Sequence, residues 1–90
     1  MPSEPQGGAL KPIAPERVAE ELRRLSDSRA TGELDRDEYE HRFSRMIGEL
    51  RDRRIDGTRA EIMAALAPLK DSGAVDRRDW DRLIQQLGLA

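Results

Sequence analysis

Ninety residues and 10.2 kDa allow one small domain, or two supersecondary units sharing a core. Fourteen Arg and two Lys stand against 18 acidic residues, for a net charge of -2, which removes the electrostatic basis for a general nucleic-acid or polybasic membrane binder. Cysteine is absent, and with it disulfides, thiol chemistry and Cys-ligated metals. No apolar run approaches the roughly 20 residues that span a bilayer. The first residues lack the basic and apolar regions of a secretory signal, so a soluble, cytoplasmic protein is expected. The excess of Arg over Lys points to a GC-rich bacterial or phage genome.

Residues 1–14 hold three prolines and two glycines without periodicity and read as a flexible arm. Leu10 and Ile13 are its only sizeable apolar groups, placed to tack its end onto the body. Pro15 suits a first helical turn, where an N–H has no partner. Val18, Leu22 and Leu25 then fall on one face, predicting a helix near 16–30 that Gly32 stops. Asp35 with Glu38 forms a capping box, and Leu34 with Tyr39 a hydrophobic staple. Tyr39, Phe43, Met46, Ile47 and Leu50 continue as a stripe, predicting a helix over 36–54. Thr58 and Glu61 make a second box for a helix over 59–71 carrying Ile62, Met63, Leu66 and Leu69. Pro68 removes an N–H and crowds the carbonyl of Ala64, so this helix should kink or stop there. Val75, Asp76, Asp79 and Trp80 renew staple and cap for a helix over 77–88, with Leu83, Ile84 and Leu87 on its buried face and Gly88 closing it.

Setting Gly32 on Gly73 aligns GELDRDEYE with GAVDRRDWD at an offset of 41 residues. Leu34 meets Val75, Asp35 meets Asp76, and Tyr39 meets Trp80. The expected fold is therefore all-α: four short helices as two antiparallel helical hairpins in tandem, residues 15–55 and 56–90, packed into one small domain behind the arm. One such hairpin has too little apolar surface to stand alone, and two have barely enough. That margin leaves room for a dimer or a protein partner to complete the core.

The segment LRRLSDSRATGELDRDEYEHRFSRMI resembles the short C-terminal domain called SHOCT, a helical hairpin. Leu22, Leu25, Gly32, Leu34, Asp35, Glu38 and Tyr39 match its pattern. Gly73, Val75, Asp76, Asp79 and Trp80 match it in the second half, with departures at Trp80, at Pro68 and in the missing basic Lys-x-x-Leu-Leu ending. The resemblance implies an interaction or oligomerisation module without catalytic residues.

Residues 27–38 carry part of an EF-hand skeleton: Asp27, Gly32, Leu34, Asp35 and Glu38 stand at loop positions 1, 6, 8, 9 and 12. Arg29 puts a cation where a ligand oxygen belongs, and capping already accounts for Asp35 and Glu38, so calcium is not expected. A lone His41 forbids multi-histidine metal sites, and Ser44 on the same helix builds no triad with it. No cofactor and no catalytic residue is expected. Arg51, Arg53, Arg54 and Arg59 form a basic cluster, and Arg77 with Arg78 opens the last helix. Acidic neighbours and the lack of a stacking aromatic argue against a nucleic-acid partner.

The expected function is a non-enzymatic protein-interaction or oligomerisation module, of regulatory use. An accessory subunit of an enzyme complex and a small nucleic-acid-associated regulator are the alternatives. Trp80, Leu69, Tyr39, Leu10 and Ile13 are the candidate interaction residues. If Pro68 breaks the third helix, Trp80 should be less covered than its equivalent Tyr39 and serve as a binding anchor.

Overall fold

Caps and glycines divide the chain where its sequence places them. The computed structural model describes residues 11–90 and contains α1 (Pro15–Ala30), α2 (Arg36–Arg53), α3 (Arg59–Asp71) and α4 (Arg77–Gln86). Among the described residues there is no strand beyond one isolated parallel bridge, Ile13 with Ile55, so the fold is all-α.

The helix starts follow from local chemistry. The Asp35 carboxylate accepts from the Glu38 N–H at 2.8 Å, and Glu38 reaches back to the Asp35 N–H at 3.1 Å. Thr58 and Glu61 repeat the reciprocal pair at 3.1 and 2.7 Å. Asp76 accepts from the Asp79 N–H at 2.9 Å, but the box stays open. Asp79 is one methylene shorter than Glu and its carboxylate turns inward.

The helix ends repeat bond for bond across 41 residues. Thr31 N–H donates to Asp27 O, Gly32 to Arg29 O and Leu34 to Ser28 O. Ser72 donates to Pro68 O, Gly73 to Lys70 O and Val75 to Leu69 O, all six within 2.9–3.1 Å. Gly32 and Gly73 take φ of 85° and 81°, the left-handed cap position that favours glycine.

Pro68 neither stops nor shortens α3, which runs three residues beyond it to Asp71. Its missing N–H costs one bond to Ala64 O, while the Pro68 and Lys70 carbonyls accept from the Ser72 and Gly73 amides. Leu66 and Leu69 on either side of it are fully buried, so packing holds the turn that propensity disfavours. α4 is two residues shorter than expected: Leu87 is its C-cap and Gly88 (φ 70°) leaves it.

The most extensive helix packing is α1 on α3, with α2 against α1 and α4 against α2. Contacts along α2 and α4 advance together, from Tyr39–Asp79 and Glu40–Arg82 to Arg51–Gln86. The two helices thus start at the same end, beside the two glycine turns. The opposite end gathers residues 11–14, the α2–α3 linker and the chain after α4. One core runs through all four helices, with Phe43, Leu22, Leu66, Leu69, Leu83, Val18 and Val75 essentially inaccessible.

At that opposite end the sequence expectation needs correction. Residues 12–14 are not part of a free arm: the Ile13 N–H donates to Arg54 O at 3.0 Å and its carbonyl accepts from the Asp56 N–H at 2.8 Å. Arg53 Nε donates to Lys11 O at 3.2 Å. Main-chain pairing, invisible to side-chain periodicity, ties this segment down. Leu10 lies outside the described residues.

The linker turns through Arg54, whose φ of 69° and ψ of 157° fall in a region that costs non-glycine residues about 1–3 kcal/mol. Arg54→Gly is expected to stabilise the protein by about 1 kcal/mol after glycine's larger entropy loss is subtracted. Urea unfolding checks this as a higher midpoint at unchanged slope, and a lower midpoint refutes it.

Candidate functional site

The polar groups brought together from distant parts of the sequence meet on the seam between α2 and α4. Tyr39 and Phe43 occupy successive turns of one α2 face, their rings stacked at 5.9 Å and 17°. The Tyr39 hydroxyl donates to Asp79 Oδ2 at 3.4 Å, a long contact by hydrogen-bond standards. Asp79 is only 8 % exposed. Arg82, one turn further along α4, pairs with Glu40 of α2 through Nη1, sets Nη2 3.6 Å from Asp79 Oδ1, and lays its guanidinium 4.7 Å over the Phe43 ring. Its Nε and Nη2 find no hydrogen-bond partner among the described residues, so the guanidinium is held partly by the ring face.

Burial pushes the Asp79 carboxyl up from its ordinary value, the negative charge of Asp76 adds to this, and Arg82 opposes it. Burial likewise raises the Tyr39 hydroxyl, helped by the charge of Asp79 and opposed by Arg29. The hydrogen bond from Arg82 holds the Glu40 carboxyl below its usual range, and the same bond raises Arg82 further. The cluster therefore keeps Tyr39 protonated, with a hydroxyl turned into the protein. Its evident work is to connect α2 with α4.

Two cation–ring contacts show the 41-residue offset again. Arg29 lies 4.7 Å over Tyr39, and Lys70 lies 5.7 Å over Trp80. A basic residue in the last turn of one helix thus roofs the aromatic that opens the next.

This arrangement settles where the candidate interaction residues lie. Trp80 is 6 % exposed, Tyr39 4 % and Leu69 0 %. Trp80 is less covered than Tyr39 only marginally, and the expected exposed indole does not form, because α3 continues past Pro68 and carries Lys70 over the ring. None of the three is a surface anchor in this chain. Ile13 is half-buried against the core. Trp80 fluorescence is accordingly expected to peak well to the blue at low concentration and to stay there on dilution. A red maximum that shifts blue with concentration would return Trp80 to the surface.

The basic residues divide similarly. Arg51 Nη1 donates to Gln86 Oε1 at 3.3 Å and Arg59 Nε to Leu89 O at 2.6 Å, while Arg53 holds Lys11. These three tie residue 11 and the segment 86–89 to the rest of the fold. Arg54 is exposed at the strained linker, and Arg77 and Arg78 are exposed in the first turn of α4 between Asp76 and Asp79. The six do not form one surface.

In residues 27–38, Asp27 belongs to α1, and Asp35 and Glu38 are occupied by each other's main-chain N–H groups. Arg29 faces the Tyr39 ring. No group of three or more His, Asp or Glu side chains suited to a metal ion occurs among the described residues. No helix among them is long and apolar enough to cross a membrane.

Sequence reasoning missed two residues. Asp79 reads as a capping acid, and nothing local reveals that Tyr39, 40 positions away, draws it inward. Leu89 is 7 % exposed, and its position just after Gly88 was a usable signal, since the residue beyond a left-handed glycine cap often packs back on the helix. No protein-family model matches the chain, and no curated protein or solved structure matches it either.

Proposed function

We propose that this chain is a non-enzymatic helical association module, built as two tandem SHOCT-like hairpins, residues 15–55 and 56–90, that binds another protein or a second copy of itself. The observation that carries this reading is the duplicated turn: three main-chain bonds, a left-handed glycine, an aspartate cap and a roofed aromatic recur at one offset. A unit repeated in that detail is a structural unit, and the face it offers is the apolar one that its neighbour covers. The acidic side chains that invite a catalytic reading serve as caps or ion pairs. Asp35, Glu38, Glu61 and Asp76 all bond main-chain N–H groups. The chemistry that the chain presents is helix-to-helix complementarity.

Sedimentation of the purified full chain over a wide concentration range tests self-association. Reconstitution with each purified protein that co-purifies from the native cell tests partners. A defined dimer or a stoichiometric complex is expected. A chain that stays monomeric and forms no such complex refutes the reading, as does catalytic turnover by the chain alone or sequence-dependent nucleic-acid binding in physiological salt.

A further inference from the structure

We propose that the partner which fits this structure best is a second copy of the chain, joined by exchanging hairpins about residues 54–58. The proposal rests on the two-hairpin reading and adds to it the partner and the hinge. The main contacts between the halves are α1 on α3, and α2 on α4 through Tyr39–Asp79, Glu40–Arg82 and Arg51–Gln86. Each can form unchanged between two chains, which is what makes exchange a low-cost route to a dimer. Every other copy offers the complementary surface by construction.

The hinge supplies the reason to open. Five residues separate α2 from α3. Two of them are left-handed, Arg54 at φ 69° and Gly57 at φ 105°. Short hinges under strain favour swapping. Arginine is a good helix former, so a relaxed Arg54 lengthens α2 and directs the second hairpin away from the first. Against this act two main-chain bonds from Ile13, to Arg54 O and from the Asp56 N–H. Because exchange keeps the packing between hairpins, the closed and exchanged forms differ only in these hinge bonds, the hinge strain and the cost of joining two chains. Crowding copies together favours the exchanged form, which keeps the core and releases the strain.

The absence of cysteine makes site-specific cross-linking direct. Glu40→Cys and Arg82→Cys replace two side chains that touch across the seam. The double variant, diluted and treated with a short bismaleimide, should cross-link within one chain. The two single variants, refolded together at high concentration, should cross-link between chains. Arg54→Gly should lower the between-chain yield about tenfold by removing the strain that opening relieves. Gly57→Ala should raise it, because in the closed form its Cβ would stand 3.0 Å from Glu61 Oε1 at φ +105°. If the within-chain product forms and the between-chain product appears at no concentration, exchange is overturned and the packing of the two hairpins stands. If neither forms, the two-hairpin packing itself is overturned. Equal yields from wild-type and variant hinges overturn the role of residues 54–58.

Discussion

Phe43→Ala is expected to leave the chain largely unfolded at room temperature. Phe43 is completely buried and lies under the Arg82 guanidinium and against Tyr39, so truncation removes a ring that three helical turns share. Such a truncation costs about 3–5 kcal/mol, comparable with the whole stability of a domain this small, about 3–5 kcal/mol where the core is limited. Phe43→Leu keeps most of the volume and should cost under about 1.5 kcal/mol. Far-ultraviolet dichroism with urea titration separates the outcomes. A cooperative, near-native transition for the alanine variant would mean that the core extends well beyond these side chains.

The second large effect concerns Arg82. Arg82→Met keeps an apolar cover for Phe43 but leaves Asp79 buried without a cation. At neutral pH the loss should be roughly 1–2 kcal/mol, below the figure for a fully buried pair because Arg82 remains partly solvent-exposed. Asp79→Asn should recover much of it, and a double-mutant cycle measures the coupling.

The pH dependence carries a definite sign. Because burial raises the Asp79 carboxyl, the folded chain holds this proton where the unfolded chain has already released it. The contribution of Asp79 is most favourable below the ordinary carboxylate range and is lost as pH rises through the raised value. Glu40 behaves oppositely: its stabilisation is present above the ordinary range and lost as pH falls through its lowered value. Asp79→Asn should therefore gain stability relative to wild type as pH rises from the ordinary carboxylate range to neutrality. A constant difference across that interval would show that Asp79 titrates normally.

Most of the secondary structure was legible because it is specified locally. An Asp or Thr cap with an acid three residues on, and a glycine that alone accepts the left-handed turn, place helix ends to within a residue or two without knowledge of the fold. What escaped was set by partners far along the chain. Asp79 looks like any acid of a first turn until Tyr39 is placed beside it. Ile13 is legible as an apolar tack for the segment before α1, but its main-chain bonds to Arg54 and Asp56 are not. The expected kink or stop at Pro68 rests on propensity, which is a property of the isolated helix. In the folded chain, Leu66 and Leu69 hold that helix on both sides of the proline. The same effect closed the surface expected at Trp80. Trp80, Leu69 and Tyr39 are buried and Ile13 is half-buried, and hydrophobicity alone does not say which apolar face has already found its cover.

The pairing of Ile13 with the α2–α3 linker also has a kinetic meaning. The Asp56 amide sits in an exposed residue, yet it is hydrogen-bonded to a carbonyl far upstream in the chain. Its hydrogen–deuterium exchange can proceed only when that carbonyl departs. Amides in the neighbouring helices report on fraying or global unfolding, which differ in free energy from a local opening. The exchange rate at Asp56 is therefore a clock for a single event, the lifting of the N-terminal strap from the joint between the two halves. It can be read in the native protein at equilibrium, without a mutation.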